Sequence, residues 1–268
     1  MVDKSEKFNW FVRLGFFSRG VLYSLIGIIA LTSAGKIAEG TDGVFNAIED
    51  FPLGTVLLWL MVLGLVAYGL FRLASFAFDI ENHGSDGKGW GQRLGHAGSG
   101  IGHFALAYSA YRFATAGDAA NSGGGGAQEA AGGVLSMDFG GVVLGLLGIA
   151  FFIAAIAQAK KGLTASFMQR ISASAPSWTR IVGRVGYLAR AVVFAIVGWS
   201  LVQAGFLSGG SSEVRTLGDA LANLAGSGII FTLVALGLIA FGVLSFVLAR
   251  YRVIPDMGSD GKVPSFRV

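Results

Sequence analysis

The chain alternates between long apolar runs and shorter polar connections. Six of the runs are long enough to cross a bilayer as helices, which takes about 20 residues each. They lie at residues 16–34, 53–78, 96–116, 139–159, 186–207 and 228–250. This pattern predicts an all-α integral membrane protein with six transmembrane helices.

The six runs form three copies of one two-helix unit. Each copy opens with Arg, then Leu or Val, then Gly, at Arg13, Arg93 and Arg184, and passes directly into its first apolar run. The predicted units cover residues 1–80, 90–161 and 180–252, followed by a tail at 253–268. Because each unit has an even number of spans, all three enter the membrane in the same direction. We therefore predict three parallel helical hairpins in a pseudo-threefold bundle.

A short amphipathic helix is predicted between the two spans of each unit. Apolar residues there follow an i, i+3, i+4, i+7 spacing, which places them on one face of two helical turns. The positions are Val44, Ala47, Ile48 and Phe51, then Ala127, Ala130, Ala131 and Val134, then Leu217, Ala220, Leu221 and Leu224. We expect these helices to lie on the membrane surface or between the spans.

Glycine pairs at four-residue spacing predict where helices pack closely. They are Gly91/Gly95, Gly98/Gly102 and Gly141/Gly145. Small residues at this spacing let two helix backbones approach each other in a membrane. The pairs are densest in the middle unit, so we expect close packing there.

Composition supports the membrane assignment and excludes other classes of protein. Hydrophobic residues make up 53% of the chain and charged residues 13%, whereas a soluble domain is about 25% charged. The chain has no cysteine, which excludes disulfides, thiol nucleophiles and thiolate metal ligands. The net charge of +4 does not indicate nucleic-acid binding, because the basic residues stand at helix ends rather than in a patch on a soluble fold.

The distribution of basic residues predicts the orientation in the membrane. Of the 20 Lys and Arg residues, only Lys36, Arg112 and Arg215 fall on the side of the loops within the units. The others stand near the termini and the loops between units. By the positive-inside rule, both termini are predicted to be cytoplasmic.

The repeats also resemble a known family. The three Arg-[Leu/Val]-Gly openings, together with Phe51-Pro-Leu-Gly54 leading into Gly64-Leu-Val-Ala-Tyr68, resemble the bacterial membrane family called domain of unknown function 1206. The resemblance covers nearly the whole chain and implies three tandem two-helix repeats in a bacterial plasma (inner) membrane. It implies no established activity, so it supplies no catalytic or binding residue. The middle unit departs most: it lacks the proline before its second span and has Ser99 where the other openings have a second Arg.

Five arginines at the cytoplasmic ends of the first spans are candidate ligands for lipid or other anions. Arg13, Arg93 and Arg184 recur in all three units, and Arg19 and Arg190 lie about a turn and a half inside their spans. Snorkelling of these side chains to the interface explains them on topological grounds. Alternatively, a threefold bundle brings them together as a site for a phosphate or an anionic lipid headgroup.

His96, Ser99 and His103 share one helix face and form a candidate polar interior. Seven residues of helix span about 10 Å, too far for two imidazoles to hold one ion directly. No other span offers a His or Cys partner, so we predict no metal site. His103 aligns with Tyr23 and Phe194 in the other units, which makes a structural ring the alternative to a ligand.

No catalytic pattern is present in the sequence. The Ser122–Gly126 loop lacks the Gly-Lys-[Ser/Thr] step of a phosphate loop, and the spans hold no paired carboxylates. We therefore predict no enzyme and no cofactor. We favour a lipid-interacting or membrane-organising protein, whose partners are membrane lipids, anionic lipids among them, and not nucleic acid. A small-solute transporter or channel-like protein and a subunit of a larger membrane complex are the alternatives.

Overall fold

The computed structural model describes residues 4–32, 45–46, 48–49, 52–81, 83–116, 126–207 and 209–254. Within these ranges the chain is helical and has no β-strand, although an isolated antiparallel bridge pairs Ile171 with Arg252. In chain order the helices are α1 (Lys4–Thr32), α2 (Gly54–Phe78), α3 (Gly87–Ala116), α4 (Gly126–Leu135), α5 (Gly140–Thr164), α6 (Thr179–Phe206), α7 (Leu217–Leu224) and α8 (Ile229–Tyr251). Short 3-10 turns follow α5 at Ser166–Arg170, precede α7 at Ser211–Glu213 and follow it at Ala225–Ser227.

Among the described residues, five of the long helices are apolar enough to cross a membrane. They are α1 from Val12 onward, α2, α5, α6 and α8. Helix α3 has 30 residues but is not among them, because Arg93, His96, His103 and many glycines lower its hydropathy. The all-helical fold with several candidate spans is thus confirmed, whereas the predicted count of six spans is not.

The long helices pack in a cyclic order. The second long helix of each predicted unit packs on the first long helix of the next: α2 on α3, α5 on α6, and α8 on α1. Within the units, α1 packs on α2 and α6 packs on α8. In the part of the chain that the structure describes, α3 and α5 do not pack along each other. The first and last units are therefore joined directly, and the middle unit is open between its two long helices.

Glycine permits the closest of these helix contacts. A Cβ atom on Gly205 of α6 would lie 2.4 Å from both Gly141 O and Gly145 N of α5. A Cβ atom on Gly64 of α2 would overlap the side chain of Ser18 on α1. A larger residue would force these backbones apart. The packing predicted from Gly141/Gly145 is confirmed.

Two of the three predicted short helices are present, although Ala130 on the predicted apolar face of the first of them is exposed. They are α4 and α7, which bury Ala131, Ala220 and Leu221. Thr216 begins α7 with a capping box, in which its side chain accepts from Asp219 N and the Asp219 carboxylate accepts from Thr216 N. In the first unit Ile48 is helical and buried. The other predicted positions there, Val44, Ala47 and Phe51, lie outside the described residues.

Candidate functional site

The recurring arginines Arg13, Arg93 and Arg184 each cap the C-terminal end of a neighbouring helix. The bonds run from Arg13 Nη1 to Ala249 O (2.7 Å) and Arg250 O (2.6 Å), from Arg93 Nε to Phe76 O (2.9 Å) and Nη2 to Ala77 O (3.2 Å), and from Arg184 Nε to Gly162 O (3.1 Å). The last carbonyls of a helix lack partners within it, and a cation is favoured there. Each arginine thus joins its unit to the preceding one in the cyclic order. They sit at three different helix ends, and their binding of anions stays a prediction.

Arg19 lies deep between α1, α2 and α8. Its side chain donates from Nε to Ser245 Oγ (3.0 Å) and from Nη1 to Tyr68 Oη. Its guanidinium carbon is 4.7 Å from the ring centre of Phe16 and 4.9 Å from those of Tyr68 and Phe241. Only 4% of the residue is exposed. The expectation that Arg19 snorkels to the interface is therefore wrong, because the packed helices enclose it.

Arg190 on α6 approaches the same region. Its guanidinium carbon is 5.2 Å from the ring centre of Tyr23, 4.7 Å from that of Phe194 and 4.3 Å from that of Phe241. Its Nε atom is buried and has no hydrogen-bond partner among the described residues. Arg19 and Arg190 therefore share Phe241, whereas Arg13, Arg93 and Arg184 lie at three separate helix ends.

The candidate polar interior divides into two environments. His103 donates from Nδ1 to Ser99 O (2.6 Å), within its own helix, and its ring centre is 4.5 Å from that of Tyr68. His96 instead faces His83, with 3.0 Å between their Nε2 atoms and the two rings stacked. His103 thus belongs to the aromatic interior, whereas His96 belongs to a polar cluster beyond the end of α2.

This polar cluster is centred on Glu81, a residue that the sequence did not single out. We use "Glu81 cluster" for Glu81 and the five basic side chains around it. Glu81 Oε1 accepts from Arg252 Nη2 (2.6 Å) and is 3.5 Å from Arg72 Nη1, and Oε2 is 3.6 Å from Arg170 Nη1, 3.6 Å from His83 Nε2 and 3.7 Å from His96 Nε2. The main-chain carbonyl of Glu81 also accepts from Arg170 Nη2 (2.8 Å). The cluster joins all three units, because its residues come from α2, α3, the connections after α2 and α5, and the end of α8.

Glu81 is ionised despite its burial. Burial alone would raise its pKa, but the guanidinium groups of Arg252 and Arg72 hold the pKa of this carboxyl well below its ordinary value. Arg72 then extends the cluster inward by donating to Tyr68 Oη from Nε (3.0 Å) and Nη2 (2.6 Å). Because Tyr68 also accepts from Arg19, a continuous polar chain runs from Glu81 into the helix bundle.

Glu81, His83 and His96 lie close enough together to bind one metal ion, but the ring nitrogen of His96 that would bind it carries a proton. Their candidate ligand atoms all lie within 4.8 Å of one another. However, His96 Nδ1 accepts from Arg72 Nη1 at 2.7 Å, so neutral His96 must carry its proton on Nε2. That is the atom that would have to bind the ion. With three arginines adding positive charge, the donor set does not fit a divalent cation.

The comparisons with known proteins place this arrangement in a family. The family model described as Domain of Unknown Function (DUF1206) matches residues 14–75, 94–165 and 185–252. This chain belongs to that family. Each DUF1206 segment begins directly after one of the capping arginines, and the predicted resemblance and internal repeat are both confirmed. The chain is 32% identical over 262 residues to the uncharacterized protein YxxB of Bacillus subtilis, covering 93% of this chain and 94% of that protein. No solved structure matches.

Proposed function

We propose that this DUF1206 protein is a non-enzymatic protein of the bacterial plasma membrane with six spans and two cytoplasmic termini. In this proposal α3 is the sixth span. Its 30 residues reach about 45 Å, enough to cross a bilayer, and it packs against α2, an apolar candidate span. The cyclic helix order and the three capping arginines support a pseudo-threefold arrangement of hairpins.

A topology experiment tests the sixth span. Reporter domains fused after Val268 and inserted at residues 122–126 are expected to face opposite sides of the membrane, because α5, α6 and α8 separate them. A third reporter near Ser85, between α2 and α3, should face the side of Val268. If the reporters at Ser85 and residues 122–126 face the same side, α3 does not cross the membrane and the six-span proposal fails.

We further propose that the protein binds anionic lipid headgroups at the cytoplasmic end of α8. The observation that carries this proposal is an open pocket of about 270 Å³. Three arginines and two serines are among the residues that line it: Arg13, Arg250, Arg252, Ser172 and Ser174. Guanidinium and hydroxyl donors around one opening suit the oxygens of a phosphate, and anionic lipids attract basic residues at this depth.

Hydrogen bonds on both sides hold the pocket in shape. Ser172 N donates to Tyr251 O (2.8 Å) and Val253 N donates to Arg170 O (3.0 Å), which ties the chain after α5 to the end of α8. The bonds from Arg13 to the α8 carbonyls both leave from Nη1. Within the described residues, Arg13 Nε and Nη2 make no hydrogen bond, so they remain available to a phosphate. The pocket is thus formed before a ligand arrives, which lowers the cost of binding.

Arg250→Gln is expected to weaken binding of phosphatidylglycerol about fivefold, since one basic residue near an anionic surface contributes about 1 kcal/mol. Arg250 suits this test because it is an exposed residue among those that line the pocket, while its main-chain carbonyl would still accept from Arg13. The measurement is mass spectrometry of the purified protein titrated with phosphatidylglycerol and, for comparison, phosphatidylcholine.

Arg180→Gln is the matched control for this experiment. Arg180 is an exposed residue in the first turn of α6, on the same predicted side of the membrane, and it does not line the pocket. If the two variants lose equal affinity for phosphatidylglycerol, the effect is a diffuse surface attraction and the headgroup pocket is refuted.

A further inference from the structure

Arg19 and Arg190 bring two positive charges into the helix bundle, beside one aromatic ring. Their guanidinium carbons are 4.9 Å and 4.3 Å from the centre of the Phe241 ring, so their separation cannot exceed the sum of these distances. Each guanidinium also has a buried nitrogen without a hydrogen-bond partner among the described residues: Nη2 of Arg19 and Nε of Arg190. Each of the two cations beside the Phe241 ring therefore has one donor without a hydrogen-bond partner among the described residues, and Arg19 is buried while Arg190 is half-buried.

No carboxylate within the described residues balances these two charges. Between described residues, the ion pairs nearest to this region are those that Arg72, Arg170 and Arg252 form with Glu81. Glu81 is already shared by Arg72, Arg170 and Arg252, and it reaches Arg19 only through Arg72 and Tyr68. Buried charges are normally paired, because an unpaired charge loses its hydration without compensation. The site therefore lacks a negative charge.

We infer that Arg19 and Arg190 together bind a small inorganic anion of the chloride class beside Phe241. Each would supply an N–H donor that the protein itself leaves unused. The enclosure of Arg19, which is 4% exposed, favours an anion of few atoms over a lipid headgroup. This site is separate from the headgroup pocket at the end of α8 and does not depend on it.

Neighbouring groups do not replace the anion. The aromatic faces of Phe16, Tyr68 and Phe241 stabilise the guanidinium groups in part, but rings accept no net charge. His103 holds its proton on Nδ1 toward Ser99 O, so its buried Nε2 offers a lone pair and cannot donate to an anion. The anion is therefore held by the two arginines, with the rings as walls.

The test compares thermal unfolding of the detergent-purified protein in sodium chloride and in sodium gluconate at equal ionic strength. Chloride is expected to raise the Tm of the wild-type protein by about 5 °C or more at a concentration about 100 times its Kd. In Arg190→Gln the chloride-specific rise should disappear. In gluconate this variant should be at least as stable as the wild type, because it removes one of two like charges beside Phe241 that have no carboxylate partner among the described residues.

Arg184→Gln is the control, since Arg184 lies on the same helix but bonds to Gly162 O at its exposed end. It should lower Tm equally in both salts and retain the chloride-specific rise. Equal Tm of the wild type in chloride and gluconate would overturn the inference, as would an unchanged rise in Arg190→Gln. If Arg190→Gln does not fold, the test is the broadening of the chloride NMR line by the wild-type protein. Broadening that saturates as the chloride concentration rises supports the site, and no broadening refutes it.

Discussion

Replacing Glu81 by glutamine is expected to lower the free energy of unfolding by about 3–5 kcal/mol, the usual cost of breaking a buried ion pair from one side. Glu81 is 8% exposed and faces Arg72, Arg170 and Arg252. The amide keeps the shape of the side chain but removes its charge and brings an N–H donor toward guanidinium donors. Thermal unfolding of the purified protein should show a Tm lower by on the order of 10 °C.

Two comparisons make this result specific to the buried carboxylate. Asp138→Asn removes an exposed carboxylate just before α5 and should change stability by no more than about 0.5 kcal/mol.

Because the pKa of Glu81 is lowered in the folded protein, the contribution of its charge to the free energy of unfolding is present above its unfolded pKa of about 4.3. This contribution is lost as the pH falls through the folded pKa. The difference between wild type and Glu81→Gln should therefore shrink in acid. A difference that stays constant would contradict the proposed charge interaction.

Gly205→Val is expected to disrupt the packing of α5 on α6, at a cost of about 3 kcal/mol. The first added carbon would already lie 2.4 Å from Gly141 O and Gly145 N, and these are backbone atoms that cannot move aside without moving the helix. The measurement is Tm in detergent together with the fraction of monodisperse protein in size-exclusion chromatography. Both are expected to fall.

Gly98→Val provides the matched control for the glycine contact. Gly98 is also a helical glycine, on α3, but a Cβ atom there would meet nothing within 4 Å among the described residues. Its replacement should leave Tm within a few degrees of the wild type, since only helix propensity changes. If Gly98→Val is as damaging as Gly205→Val, the close approach of α5 and α6 is not the cause of the loss.

The glycine pairs show how far the sequence predicts this fold. Four-residue spacing identified Gly141 and Gly145, which do meet another helix. The same spacing at Gly98/Gly102 on α3 gave the wrong expectation, because those positions face open space within the described part of the chain. Spacing reveals which residues share a helix face, but only the partner helix decides whether that face is covered. The long helices and short amphipathic helices were predictable because their signals are local.

The candidate site was less predictable, because its partners come from distant positions. Glu81 lies in a polar connection and bonds to Arg252, 171 residues later in the chain. His96 contacts His83 in the same connection, whereas the other predicted spans contain no histidine that could indicate such a partner. The depth of Arg19 could be predicted from its position inside an apolar run. Its enclosure could not, since that depends on how α2 and α8 pack around α1.

The capping arginines differ in when their acceptors are synthesised. Arg93 and Arg184 bond to carbonyls of Phe76, Ala77 and Gly162, which precede them in the chain. Arg13 bonds to Ala249 and Arg250, 236 and 237 residues later. Because the N-terminal part of the chain is synthesised first, these two caps can form while the chain is still growing, whereas the Arg13 cap can form only after α8 has been synthesised. A chain that ends before α8 would therefore keep the contact of α1 with α2 but lack the carbonyls that accept from Arg13.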